Sequence, residues 1–284
     1  MKIIKNHVLK GLHDRPIVTD LFFKEALTAM PIVVFCHGYK GFKDWGAWNI
    51  MAQQFADAGY FFVKFNFSHN GGTLQNPIDF PDLEAFANNT YSKEMDDLQS
   101  VLDWLSTQNP YKAVTNLNQL SLLGHSRGGG IVTLTAAQDK RIAKVVSLAG
   151  ISDYRSRFLE GTDHFTAWKN TGITYVENTR TKQQLPHNFS FYEDFIANED
   201  KLTIKTAAQH ISAPHLIVHG DADTSVTLAE GQHLHKWNPT SELFVVNGAD
   251  HVFGLKHPWE SASLSPHMKL VMEKVLSFLG RPLN

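Results

Sequence analysis

A serine flanked by glycines, in the run Gly124-His125-Ser126-Arg127-Gly128, is the sharpest chemical signal in this sequence. It follows the apolar run Leu120–Leu123 directly and leads into Ile131–Ala137, which reads as a helix. A serine held on a tight strand-to-helix turn projects its Oγ above a sheet, and the crowded turn accepts only glycine or very small neighbours. Its hydroxyl is a weak nucleophile near neutrality and needs a base within hydrogen-bond reach, which in turn needs an orienting acid. Both are available downstream. His219-Gly220-Asp221-Ala222-Asp223 follows the apolar run Leu216–Val218, and Asp250-His251 follows Leu243–Val246. Such a set would carry out nucleophilic acyl transfer, with His251 as the base. Asp250 is a weak candidate acid, because a residue adjacent in sequence to His251 cannot readily reach its ring Nδ1. Asp221 and Asp223 both remain open on spacing alone.

Attack on an ester or amide builds negative charge on the carbonyl oxygen, and that charge needs preorganised donors. One donor is expected from the backbone N–H of Arg127, at the positive N-terminus of the following helix. The other is expected from the glycine-containing loop after Ile32–Phe35, which reads His37-Gly38-Tyr39-Lys40-Gly41. Lys40 and Lys43 read as solvated surface charges rather than as a guide for an acidic substrate. Trp45 and Trp48 follow the same loop. Gly71-Gly72 and Gly128-Gly129-Gly130 are not followed by Gly-Lys-Ser/Thr, so no phosphate-binding loop is read there. The single cysteine and the histidine spacings give no zinc pattern, and neither metal nor other cofactor is expected.

These residues need a scaffold, and the chain supplies one. Six short apolar runs, near residues 32–35, 61–67, 120–123, 145–148, 216–218 and 243–246, suit strands buried on both faces of a parallel sheet. Helices are predicted between them. Residues 94–107 align Leu98, Val101, Leu102 and Leu105 on one stripe, with Asp96, Asp97 and Asp103 falling away from it. Residues 45–58 and 266–279 carry similar apolar faces. Alternation of strand and helix implies parallel βαβ units. Serine, acid and base then each follow a strand, at the carboxyl edge where ligands gather in such sheets. Apolar stretches at 3–9 and 17–23 predict an antiparallel, hairpin-like start. Residues 151–210 break the rhythm: rich in aromatics, without a good buried strand, they read as an inserted cap of helices and loops. The expected organisation is a single domain over 1–284 with that cap inside it.

Over roughly residues 17–280 the sequence resembles the α/β-hydrolase-fold serine hydrolases. Within them it is similar to the branch of cinnamoyl/feruloyl-type esterases, dienelactone-hydrolase-like proteins and dipeptidyl-aminopeptidase-like esterases. The resemblance rests on His37-Gly38-Tyr39, Gly124-x-Ser126-x-Gly128, His219-Gly220-x-x-Asp223-x-x-Val226 and Asp250-His251. It implies an α/β-hydrolase fold, a mostly parallel central sheet flanked by helices. It also implies Ser126 as nucleophile, His251 as base, Asp223 rather than Asp221 as acid, and the N–H groups of Tyr39 and Arg127 as oxyanion donors. His125 would pack beneath the turn. His210, His215, His219, His233, His235, His257 and His267 are given no chemical role by the pattern. The implied activity is cleavage of carboxylic esters through an acyl-enzyme intermediate. Amide or thioester cleavage on the same triad is the alternative, as is a non-catalytic ligand-binding member of the fold, which retention of all three triad residues disfavours. No extra propeller-type domain is visible, which counts against an oligopeptidase. The cap aromatics Phe158, Phe165, Trp168, Tyr175, Phe189, Phe191, Tyr192 and Phe195 are expected mostly to pack the cap onto the sheet, with some of them lining a substrate pocket.

Composition narrows the setting. Lys plus Arg is 26 and Asp plus Glu is 28, a formal charge of −2, which offers no footprint for nucleic acid or an anionic membrane. No run of about 18 apolar residues suggests a membrane span. The first residues lack the apolar stretch of a secretory signal, and with one cysteine a cytoplasmic protein acting on a small-molecule ester is expected. Oligomeric state and acyl or alcohol preference are not legible.

Overall fold

Alternating apolar side chains on the central strands bury both faces of one sheet, and this is what builds the molecule. The computed structural model describes residues 1–25 and 28–282; positions 26, 27, 283 and 284 of the domain read over 1–284 lie outside the described residues. The strands are β1 (Lys2–Leu9), β2 (Ile17–Phe23), β3 (Met30–Cys36), β4 (Phe61–Asn66), β5 (Thr115–His125) and β6 (Ile142–Leu148). They continue with β7 (Ile173–Glu177), β8 (Gln184–Asn188), β9 (His215–Gly220) and β10 (Glu242–Val246). Eight form the main sheet in the order β1-β2-β4-β3-β5-β6-β9-β10. β1 and β2 pair antiparallel, as does β2 with β4, and every other pairing in this sheet is parallel. All six apolar runs form strands of it.

On β3, Ile32 and Val34 join one apolar cluster while Val33 and Phe35 join the other. The first cluster takes in Leu98, Val101 and Leu102 of the helix Tyr91–Thr107, and Ile131 and Leu134 of the helix Arg127–Gln138. The second takes in Met51 and Phe55 of the helix Trp48–Asp57, and Met268, Val271 and Val275 of the helix Pro266–Leu279. Each such buried side chain contributes about 1.5–3 kcal/mol relative to exposure. The last helix begins where its sequence dictates: Ser265 accepts from Met268 N–H at 3.1 Å, and Pro266 fills a position that needs no N–H donor. No helix among the described residues is long and apolar enough to cross a membrane.

Three charged residues lie where local pattern did not put them. Lys43, read as a solvated charge, is fully buried: its Nζ lies 2.9 Å from Asp20 Oδ1. Lys64, buried on β4, joins Asp20 at 2.9 Å and Asp44 at 2.7 Å. Burial pushes the Lys64 ammonium down to about 8 against the pull of Asp20 and Asp44. This cluster pins the chain just after the His37–Gly41 loop. Asp97, read as lying off the apolar stripe, is only 1% exposed.

The burial of Asp97 has a measurable consequence. Its Oδ2 accepts the Ser68 N–H at 2.7 Å, its Oδ1 has no partner among the described residues, and burial pushes the carboxyl up to about 7. The folded state therefore holds a proton that the unfolded chain releases near pH 4, so stability falls as pH rises from about 4 to about 7. Asp97→Asn keeps an acceptor for Ser68 and removes the buried charge. Its stability relative to wild type should improve between pH 5 and pH 8 by on the order of 2 kcal/mol. Urea unfolding at the two pH values measures this; an unchanged difference would contradict it.

The segment 151–210 holds helices at Asp163–Thr171, Ser190–Ala197, Glu199–Leu202 and Ile204–His210. It also holds a two-stranded antiparallel sheet, β7 with β8, where only helices and loops were expected. β7 is half exposed and β8 carries Pro186 and His187, so neither presents the apolar run that marks a core strand.

Candidate active site

The turn at Ser126 is held in a conformation that only close packing sustains. Ser126 has φ +56°, in the left-handed region, and forms the N-cap of the helix Arg127–Gln138. A Cβ at Gly124 would lie 2.2 Å from Gly128 O, and one at Gly128 would lie 2.4 Å from Cys36 O. Neither position has room for a side chain. Ser126 N–H donates to Leu148 O at 2.9 Å, which ties the turn to the end of β6.

Ser126 Oγ lies 3.0 Å from His251 Nε2, and His251 Nδ1 lies 2.8 Å from Asp223 Oδ2. The three come from the ends of β5, β9 and β10. Asp223 is fixed from its other side: Oδ1 accepts the N–H groups of Ser225 at 2.8 Å and Val226 at 2.9 Å. Burial would raise its carboxyl, but hydrogen bonds to His219, His251 and Val226 N–H outweigh burial and hold it well below the usual range. Asp221 is turned away and accepts Gly248 N–H at 2.6 Å. Asp250 accepts Gly254 N–H at 2.7 Å instead of reaching its neighbour's ring. Of the three acids, only Asp223 meets His251.

Two further histidines support this arrangement. His219, fully buried, donates from Nε2 to Val226 O at 2.8 Å and lies 3.5 Å from Asp223 Oδ2. It braces the loop that carries the acid. His125 donates from Nε2 to His251 O at 2.9 Å, with the two rings 4.9 Å apart. Burial, with His251 beside it, pushes His125 down to about 3, so it stays neutral and positions the His251 backbone. It sits beside the base, where a place beneath the turn was expected.

The His37–Gly41 loop closes over the serine. A Cβ on Gly38 would lie 2.9 Å from Ser126 Cβ, so only the bare glycine backbone fits here. Among the described residues, the N–H groups of Tyr39 and Arg127 have no acceptor within the protein. The Arg127 side chain is buried, paired with Glu94 at 3.2 Å and set 4.4 Å from the Tyr39 ring. Tyr39 OH is hydrogen-bonded to His187 Nε2 of β8 at 2.7 Å. That contact ties the loop to the segment 151–210. Sequence reasoning missed it, since nothing local to His187 marks it.

Two cavities flank Ser126 and His251. One, of about 470 Å³, is lined by Phe158, Trp168 and Phe191 among others, so aromatics of segment 151–210 do lie beside the serine. The other, of about 500 Å³, is lined by Phe42, Trp45 and Trp48. Among the described residues no group of three or more His, Cys, Asp or Glu is arranged to hold a metal ion.

This fold, with a serine on a strand-to-helix turn facing a histidine and an aspartate from later strands, is the α/β-hydrolase fold, and the chain is a hydrolase of that class. Residues 48–260 match the prolyl oligopeptidase family, and the chain belongs to that family. Its structure is similar to Est1E from Butyrivibrio proteoclasticus, with a TM-score of 0.71 at 16% identity over 97% of this chain and 98% of that one. It also resembles the Pyrococcus horikoshii acylaminoacyl peptidase, with a TM-score of 0.67 at 18% identity over 98% of this chain and 41% of that one. In sequence, 130 residues are 28% identical to an uncharacterized 31.7 kDa protein of the traX-finO intergenic region of Escherichia coli. That match covers 43% of this chain and spans 38% of the relative's length.

Proposed function

We propose that this chain is a serine hydrolase cleaving small-molecule carboxylic esters through an acyl-enzyme on Ser126. The observation that carries the reading is the unbroken relay Asp223 Oδ2, His251 Nδ1, His251 Nε2, Ser126 Oγ, at 2.8 Å and 3.0 Å. In the first half-reaction His251 Nε2 takes the Ser126 proton as Oγ attacks the carbonyl carbon. The oxyanion accepts from the N–H groups of Tyr39 and Arg127. His251 then gives the proton to the leaving alcohol, and water repeats the sequence to release the acid and restore Ser126. Asp223 stays ionised, holds the imidazole in the tautomer whose Nε2 is free to accept, and offsets its charge once protonated.

Residues 151–210 act as a cap in this reading, with Phe158, Trp168 and Phe191 forming an apolar wall for one half of the ester. Likeness to Est1E, a structure also known with ferulic acid bound, favours an ester over an amide. No nucleic acid, membrane, metal or other cofactor enters the reading. A cytoplasmic setting fits the one buried cysteine, Cys36.

Hydrolysis of p-nitrophenyl acetate, butyrate and octanoate tests the proposal, and the chain-length profile sizes the pocket. Turnover of at least one ester is expected; inertness toward all three would overturn it. A histidine base works only as the neutral imidazole, while the Asp223 carboxyl, held low, stays ionised throughout. Activity should therefore climb with pH as the imidazole loses its second proton, and then level off. A flat profile from about pH 5 to 8 would contradict a histidine base.

A further inference from the structure

The charged residues that line the two cavities beside Ser126 are all cations: Lys40, Arg127, Arg157, Arg180 and Lys256 border one or both, and among the described residues no Asp or Glu borders either. The chain as a whole carries a formal charge of −2, so this is a local concentration of positive charge and not a general surplus. Three of the five are neutralised from outside the cavities: Arg127 by Glu94, Arg157 by Glu230 and Arg180 by Asp79. Lys256 is exposed at the rim. Lys40 differs from all of these. It borders both cavities, is half-buried, and has no carboxylate or hydrogen-bond partner among the described residues. Its ammonium lies 5.4 Å from the centroid of the Tyr39 ring, next to the candidate oxyanion donor.

An unpaired ammonium withdrawn from water is costly unless something pairs with it. Burial accordingly lowers the Lys40 pKa, and burial, with Arg127 and Lys40 adding to it, lowers that of the neighbouring His187. A cleft walled by one sign of charge concentrates ligands of the other sign.

We infer that the preferred substrate is an ester carrying a carboxylate, and that Lys40 pairs with that carboxylate while Ser126 attacks the ester carbonyl. The inference rests on the serine-hydrolase reading and names the substrate class for it. A charge-assisted hydrogen bond in a partly desolvated site supplies the selectivity, since a neutral ester of the same size leaves the Lys40 ammonium without a partner.

Matched ester pairs test this. Mono-p-nitrophenyl adipate against p-nitrophenyl hexanoate places the carboxylate on the acyl half. Phenyl acetate against p-acetoxybenzoate places it on the alcohol half. In at least one pair kcat/KM should favour the anionic ester about tenfold or more, and the ratio should shrink with added salt. In Lys40→Gln the ratio should fall to near one, and Lys40→Arg should restore most of it. A ratio at or below one in both pairs, or a preference that survives in Lys40→Gln, overturns the inference. Hydrolysis of the neutral esters, and its loss in Ser126→Ala, reads the catalytic proposal separately. Neutral turnover without anionic preference removes only the substrate class, whereas no turnover of any ester removes both.

Discussion

Replacing Ser126 with alanine should lower kcat for ester hydrolysis by about 10⁴- to 10⁶-fold, the range expected when a triad nucleophile is removed. The size of the effect follows from what remains. Without Oγ no acyl-enzyme forms, and His251 can only assist direct attack by water. The N–H groups of Tyr39 and Arg127 still face the carbonyl and retain a residual acceleration of about 10³ over solution. The variant should fold normally, because alanine at φ +56° carries the same Cβ as serine and no side-chain hydrogen bond other than that to His251 is lost. An unchanged thermal transition beside lost turnover would separate chemistry from stability. Retained turnover would show that the hydrolysis has another origin.

Asp223→Asn should cost about 10⁴-fold in kcat while leaving the fold intact. The asparagine carbonyl can keep the Ser225 and Val226 N–H groups that Asp223 Oδ1 accepts at 2.8 Å and 2.9 Å. Its NH₂ then faces His251 Nδ1, donor against donor. The imidazole relieves the conflict by moving its proton to Nε2, the nitrogen that must accept from Ser126. Asp221→Asn is the control. Asp221 is exposed and bonds Gly248 N–H on the far side of the turn, so its loss should change kcat less than about threefold. Equal effects of the two substitutions would remove the distinction between the acids.

The sheet was legible because its information is local. Ile32–Phe35 and Val145–Leu148 are continuous apolar runs, and the glycines at 124 and 128 announce a turn too crowded for side chains. The acid was half legible: spacing left Asp221 and Asp223 open, and only the resemblance separated them. What escaped was assembled across the chain. Lys43 looks solvated in sequence, yet β2 and β4 bring Asp20 and Lys64 around it. Asp97 sits off its helix's apolar stripe but is covered by the loop at Ser68. His187 lies 148 residues from Tyr39, and the β7–β8 pairing that presents it has no apolar periodicity to reveal it. Burial of a polar group depends on which distant partner arrives, and short-range pattern holds no record of that.

The most direct test of the account is the intact mass of the protein after reaction with a fluorophosphonate, followed by mapping of the modified peptide. Such a reagent phosphonylates only a serine activated by a base. The account predicts one adduct per chain, on Ser126, absent from Ser126→Ala and strongly slowed in His251→Ala. No adduct on the native protein, or one on a different serine, would contradict it.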